Sequence, residues 1–137
     1  VVKENTPILG LCLGMQLFSK KSEEGELPGL GWLKAETIRF RFDSAQDTLK
    51  VPHMGWNSVR AVRHHPLFDG FDEIPRFYFV HSYHVVCNEK ETELAQSLYG
   101  FEFTSAVAKG NILGTQFHPE KSHRFGMTLF RNFVERI

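Results

Sequence analysis

Cysteine is scarce. Two residues in 137, Cys12 and Cys87, cannot build a disulfide framework, so the expected setting is a reducing, cytoplasmic one. Long apolar runs are missing as well; none reaches the ~18 residues of a membrane-crossing helix. No basic segment followed by an apolar stretch opens the chain, and a secretory leader is not expected. Neither sign of charge dominates. Lys+Arg and Asp+Glu both number 16, which removes the basic field that a nucleic-acid partner would need. Repeats, low-complexity segments and a glycine-rich phosphate loop are also absent. What is present is 42% hydrophobic and 23% charged residues, the balance of one compact domain with its own core.

The order of elements reads as strand, helix, a run of strands, then helix, an α/β arrangement. "PILGLC" is a short continuous apolar run, which predicts a strand buried on both faces. The pattern after it predicts a helix from Gly14 to about Lys21. "GELPGLGWL" is a loop, and "WLKAETIRFRF" alternates as a strand does. "VPHMGWNSVRAV" reads as a loop feeding another strand, and "RFYFVHSYHVVC" as one aromatic, β-branched strand. "TELAQSLYG" and "FTSAVAKGNILGTQF" are further strands, with "KGN" as a hairpin turn. The closing "SHRFGMTLFRNFVERI" sets Phe125, Leu129, Phe130, Phe133 and Val134 at helical spacing.

Gly10-Leu11-Cys12-Leu13-Gly14 follows the first strand and opens the first helix. This is the layout of a nucleophile elbow with cysteine in the serine's place. Small flanking residues let neighbouring chain pass close by, and the helix start favours a thiolate. The backbone N–H of Leu13 would face an oxyanion. A small core thiol between two turn glycines fits the same stretch. A cysteine nucleophile needs a base. His64 and His65 lie in a polar turn, and His53 in a loop beside Met54, Gly55 and Trp56. His81 and His84, three apart on a strand, would point to opposite faces, so no metal site is expected there. His118 ends an apolar strand with Glu120 two residues on. If both stay extended, they share a face and the carboxylate can hold the imidazole; a turn with a surface carboxylate would look the same.

"GLCLGMQLF" together with "GTQFHPEKS" resembles the class I, triad-type glutamine amidotransferases. "SEEG", "KVPHMGWNSV", "FYFVHSYHV" and "SAVAKGNILGTQFHPEKS" narrow the resemblance to the glutaminase subunits of imidazole glycerol phosphate synthases. The resemblance runs from about Pro7 to the end of the chain. It implies a partial flavodoxin-like domain, a mixed sheet flanked by helices, that hydrolyses glutamine through a γ-glutamyl thioester without a cofactor or metal. By motif, Cys12 is the nucleophile, His118 the base and then acid, and Glu120 the residue that orients His118. Gln16, Glu24, His81, Ser82 and Tyr83 would bind glutamine. Without the resemblance, Gln16 and Glu24 read as solvated and Tyr83 as strand packing. The implied partner is a (β/α)8-barrel cyclase subunit, in a heterodimer of histidine biosynthesis. Met54, Trp56, Asn57, Tyr78 and Lys121 match the interface and ammonia-exit region; Trp56 could equally cap this domain's own core.

The resemblance departs at one end. Such proteins carry strands and a glycine-rich oxyanion loop before the elbow, whereas this chain begins "VVKENTPILG" and enters a strand at once. The expectation is the C-terminal part of an amidotransferase domain, residues 1–137, with the oxyanion site half-built. Two alternatives stay open. One is a glutaminase serving another synthase, such as a sugar-aminating one in polysaccharide synthesis. The other is a non-catalytic fragment.

Overall fold

The computed structural model describes residues 1–43 and 49–137. Strand β1 (Ile8–Leu11) runs parallel to β10 (Ile112–Thr115), with Leu11 opposite Thr115. From β10 the sheet continues through β9 (Phe101–Lys109), β7 (Tyr83–Cys87) and β3 (Ala35–Arg39) to the short β2 (Lys21–Ser22). Strand β8 (Glu93–Tyr99) pairs with β9 and with the short β5 (Arg60–Ala61). A separate two-stranded ribbon joins β4 (His53–Ser58) to β6 (Arg76–His81). Parallel and antiparallel pairs coexist, so the sheet is mixed, as expected.

Two apolar clusters follow from the period-2 alternation of strands. Ala106, Ala108 and Leu113 face a cluster with Phe77, Phe117 and Leu129, while Val107 and Ile112 face Met15, Phe18 and Leu33 on the other side. A fully buried side chain of this size contributes about 1.5–3 kcal/mol through the water it leaves. The hairpin turn between β9 and β10 falls at Gly110, which holds φ 58°.

Four expectations change here. Strand β1 is not buried on both faces: among the described residues it pairs with β10 alone, and only Gly10 is fully buried. Helix α1 covers Leu13–Gln16 and stops a turn early, because Lys20 N–H already donates to Ala35 O and the chain is captured as β2 alongside β3. His53 lies on strand β4, not in a loop. The single strand expected through "RFYFVHSYHVVC" breaks at Ser82 into β6 and β7. There the His81 imidazole reaches forward to the Tyr83 carbonyl at 2.8 Å, and Ser82 O accepts from Phe40 N–H, which fixes the bend.

Helix α2 (His123–Arg136) closes the chain. Leu129 is fully buried and Phe125, Phe130 and Phe133 partly so, but Val134 is 78% exposed. Five residues past Leu129, at ~100° per residue, Val134 lies about 140° around the helix. Asn132 takes the inward place instead, its amide donating to Leu67 O at 2.9 Å and Asp69 O at 2.8 Å.

Candidate active site

Cys12 sits between β1 and α1 with φ 53° and ψ −108°. Left-handed backbone at a residue with a Cβ costs on the order of 1–3 kcal/mol and persists only where surrounding structure holds it. The holding contact is plain: Cys12 N–H donates to Thr115 O at 2.7 Å, extending the β1–β10 ladder to the elbow. Close approach explains Gly10, where a Cβ would come within 2.7 Å of Gly14 C and of the Phe18 ring. It does not explain Gly14, where a Cβ would meet nothing within 4 Å.

His118 leaves β10 three residues after Thr115. Phe117, stacked on Phe77 with ring centroids 4.1 Å apart, pins the exit of β10 to β6. His118 N–H then donates to Tyr78 O at 2.9 Å. The chain does not stay extended to Glu120. Pro119–Lys121 form one 3-10 turn, with the proline at a position that needs no donor. The turn, rather than strand parity, brings the Glu120 carboxylate within 2.8 Å of His118 Nδ1. Ser122 locks it: its hydroxyl accepts from Tyr78 N–H at 3.0 Å and donates to His118 O at 2.6 Å.

Strand β6 is a shared ruler for the two halves of the site. Tyr78 O holds His118, and Val80 O accepts from the Cys12 thiol at 3.8 Å. At ~3.3 Å per residue those carbonyls lie roughly 7 Å apart along one edge, so the sulfur and the imidazole's own backbone are neighbours. The thiol is nevertheless not hydrogen-bonded to His118 among the described residues. Its side-chain partner is Gln116, whose Nε2 lies 3.6 Å from the sulfur. Burial pushes the Cys12 thiol up from its usual pKa, with the Leu13 N–H and the Gln116 amide pulling the other way. The thiolate expected from the helix start is thus not the resting form. A single-turn helix brings little dipole, and a carbonyl receives the thiol proton.

A cavity of about 320 Å³ opens beside the sulfur, lined by Leu13, Gln16, Glu24, His81, Ser82 and Tyr83 among others. That is the size of a small-molecule site. His118 and Glu120 do not line it. Gln16 is buried, and its Nε2 donates to Tyr83 O at 3.1 Å and Gln116 Oε1 at 3.0 Å. Glu24 stands on the rim, in a loop anchored by Glu23. The Glu23 carboxylate takes both Arg41 guanidinium nitrogens, at 2.8 and 2.9 Å, and is drawn down to about 2 by that fork and by the Arg39 N–H.

His81 is buried with both ring nitrogens engaged, and burial pushes it down to about 3; His53 and His84 fall to about 4 for the same reason. The bend at Ser82 also undoes the parity expected for His81 and His84. Both rings lie against Phe40, at 5.1 and 4.8 Å. Among the described residues no group of three His, Cys, Asp or Glu side chains is placed to hold a metal. No helix among them is long and apolar enough to cross a membrane.

Of the residues matched to an interface, Met54 and Trp56 are exposed, at 62% and 43%, and Lys121 is exposed too. Trp56 stacks on His123 and meets Tyr78 edge-on. The Asn57 amide is engaged internally, donating to Leu98 O at 2.9 Å and accepting from Ser58 N–H at 2.8 Å. Sequence reasoning missed Gln116. Its signal was a fully polar amide inside the apolar run "ILGTQF", where burial demands hydrogen-bond partners.

The sequence pattern of the family Glutamine amidotransferase class-I matches residues 1–137. Imidazole glycerol phosphate synthase subunit HisH 2 of Methanococcus maripaludis is 52% identical over 136 residues, covering 99% of this chain. The subunit of the same name from Pseudomonas aeruginosa is 50% identical over 137 residues, covering 100% of it. The chain spans 66% of the length of each of these relatives. Among solved structures, a glutamine amidotransferase from Thermotoga maritima superposes with a TM-score of 0.63 at 22% identity, over 98% of this chain and 47% of that one, a likeness of fold. Matched from its first residue to its last, the chain belongs to the class-I glutamine amidotransferase family.

Proposed function

We propose that the chain carries the glutaminase chemistry of an imidazole glycerol phosphate synthase, hydrolysing glutamine to glutamate and ammonia. The observation that carries this is the pairing of a left-handed elbow cysteine with a His118–Glu120 couple, both hung from one edge of β6. Its relatives' names favour this synthase over a sugar-aminating one.

In this reading glutamine enters the cavity with its carboxamide at Cys12. Glu24 receives the α-ammonium, while Gln16, Ser82, Tyr83 and the buried His81 shape the walls. His118 takes the thiol proton and the sulfur attacks the carboxamide carbon. The Leu13 N–H faces the oxyanion that forms, a donor whose loss in comparable sites costs about 3 kcal/mol. Collapse expels ammonia with the proton returned by His118, and a γ-glutamyl thioester remains. His118 then draws a proton from water, whose oxygen attacks the thioester and releases glutamate and the thiol. Glu120 accepts from His118 Nδ1–H throughout, so that Nε2 is the nitrogen that moves protons. The ammonia passes to a (β/α)8-barrel cyclase subunit docked over Met54, Trp56, Asn57, Tyr78 and Lys121, in a cytoplasmic heterodimer.

A glutamine-analogue electrophile tests the reading directly. Mass spectrometry is expected to find it on Cys12 and not on Cys87, and Cys12→Ala to abolish both labelling and ammonia release in the presence of the cyclase subunit. A folded chain that takes up no label would overturn it.

A further inference from the structure

The Cys12 sulfur and the β4 side chains are joined by a hydrogen-bond network whose two runs both end, as donors, on the Tyr83 carbonyl. At its far end, on β4, the Asn57 amide cannot flip: Oδ1 must face Ser58 N–H and Nδ2 must face Leu98 O. The second Nδ2 hydrogen therefore points at His53 Nε2, 3.3 Å away, which accepts. His53 Nδ1 then carries the proton and donates to His81 Nε2 at 3.0 Å. The other terminus of this run gives the same answer. Tyr83 O can only accept, so His81 Nδ1 at 2.8 Å carries a proton and its Nε2 has a free lone pair.

Tyr83 O also accepts from Gln16 Nε2, whose second hydrogen goes to Gln116 Oε1. That fixes the orientation of the Gln116 amide, and its Nε2 faces the sulfur at 3.6 Å. Gln116 is fully buried. Among the described residues Gln116 Nε2 has no other partner.

We propose that the Gln116 amide is a further donor to the Cys12 sulfur, oriented by Gln16, whose own amide is fixed by the Tyr83 carbonyl. The proposal rests on Cys12 being the nucleophile, as read above. An amide held this way offers the thiolate a hydrogen bond that the neutral thiol does not need, and hydrogen bonds to a charged acceptor are the stronger kind. The Val80 carbonyl accepts a hydrogen bond from the resting thiol, and Gln116 holds the sulfur once the proton has left for His118. Gln16 is a positioning residue; Gln116 touches the reacting atom.

Two measurements test this. The first is the pH profile of Cys12 alkylation by iodoacetamide, read by mass spectrometry on the Cys12 peptide so that Cys87 does not contribute. Gln116→Met keeps the volume and removes the donor. It is expected to move the inflection upward by up to about one pH unit and slow alkylation near neutral pH ~3- to 10-fold. The charged and titratable groups around the sulfur are Glu24, the His118–Glu120 couple, His81 and Tyr83, and none is altered by the substitution. An unchanged profile in a folded Gln116→Met chain overturns the proposal. The second is side-chain amide 15N–1H NMR of the unmodified chain, which needs no variant to fold. The Gln116 NH2 resonances are expected to move as the Cys12 thiol ionises and to stay put once Cys12 is alkylated; resonances indifferent to Cys12 ionisation overturn it. Neither readout uses glutamine, so failure here is distinct from failure of analogue labelling at Cys12.

Discussion

His118 and Tyr78 form a lone antiparallel bridge, outside any named strand pair on the His118 side, closed by His118 N–H donating to Tyr78 O at 2.9 Å. The bridge is completed by a side chain. Where a second backbone bond would be, the Ser122 hydroxyl links Tyr78 N–H to His118 O.

Ser122→Ala is therefore expected to act twice. Ser122 is fully buried, so Tyr78 N–H loses its partner in a site closed to water, a cost of about 1–3 kcal/mol. Urea midpoints would register that loss. Looser placement of His118 should also lower kcat of the glutaminase reaction more than it changes KM, and equal effects on both would contradict the clamp.

Glu120→Gln keeps a hydrogen-bond partner for the imidazole but admits the wrong tautomer. Glutaminase kcat should fall by something on the order of 10²–10⁴, as when the orienting acid of comparable triads is replaced by an amide. Stability should hardly move, since the pair is surface-exposed on the Glu120 side. A variant with near-normal kcat would remove Glu120 from the mechanism.

The chain should lose stability on mild acidification. His53, His81 and His84 have folded pKa values of about 4, 3 and 4, below the ordinary ~6.5. Between those limits the unfolded chain binds more protons, so unfolding becomes easier as pH falls. The contribution is complete above about pH 6.5 and disappears progressively down to pH 3–4. Denaturant midpoints measured from pH 7.5 to 4 should drop across that window, and His84→Phe should flatten the slope.

Asn132 and Val134 make a paired test of helix α2. Asn132→Leu strands the Leu67 and Asp69 carbonyls and should cost about 1–3 kcal/mol. Val134→Ser, on the solvent side, should stay within about 0.5 kcal/mol. A reversal of the two in thermal unfolding would place the wrong face inward.

Much of this architecture was legible from local pattern. β-branched and aromatic runs marked most strands, and Gly110-Asn111 marked the hairpin. The elbow at Cys12 was readable because it depends on neighbours in sequence; the nearness of His118 and Glu120 was readable too, although a 3-10 turn stands where extended backbone was expected. What escaped depends on partners far along the chain. The break at Ser82 is enforced by Phe40 and Tyr83, the early end of α1 by pairing with β3, and the inward place of Asn132 by carbonyls on Leu67 and Asp69. Gln116 belongs to this class too, since its meaning appears only when Gln16 and Cys12 are beside it.

The crossing at Ser82 has a mechanical consequence. Val80 and His81 belong to the two-stranded ribbon and Tyr83 to the large sheet, so one cavity has a wall on each. Away from the cavity the two are also tied together, by Ser97 Oγ donating to Ser58 O and Asn57 Nδ2 donating to Leu98 O. The width of the pocket is therefore a property of the seam between ribbon and sheet and of neither alone.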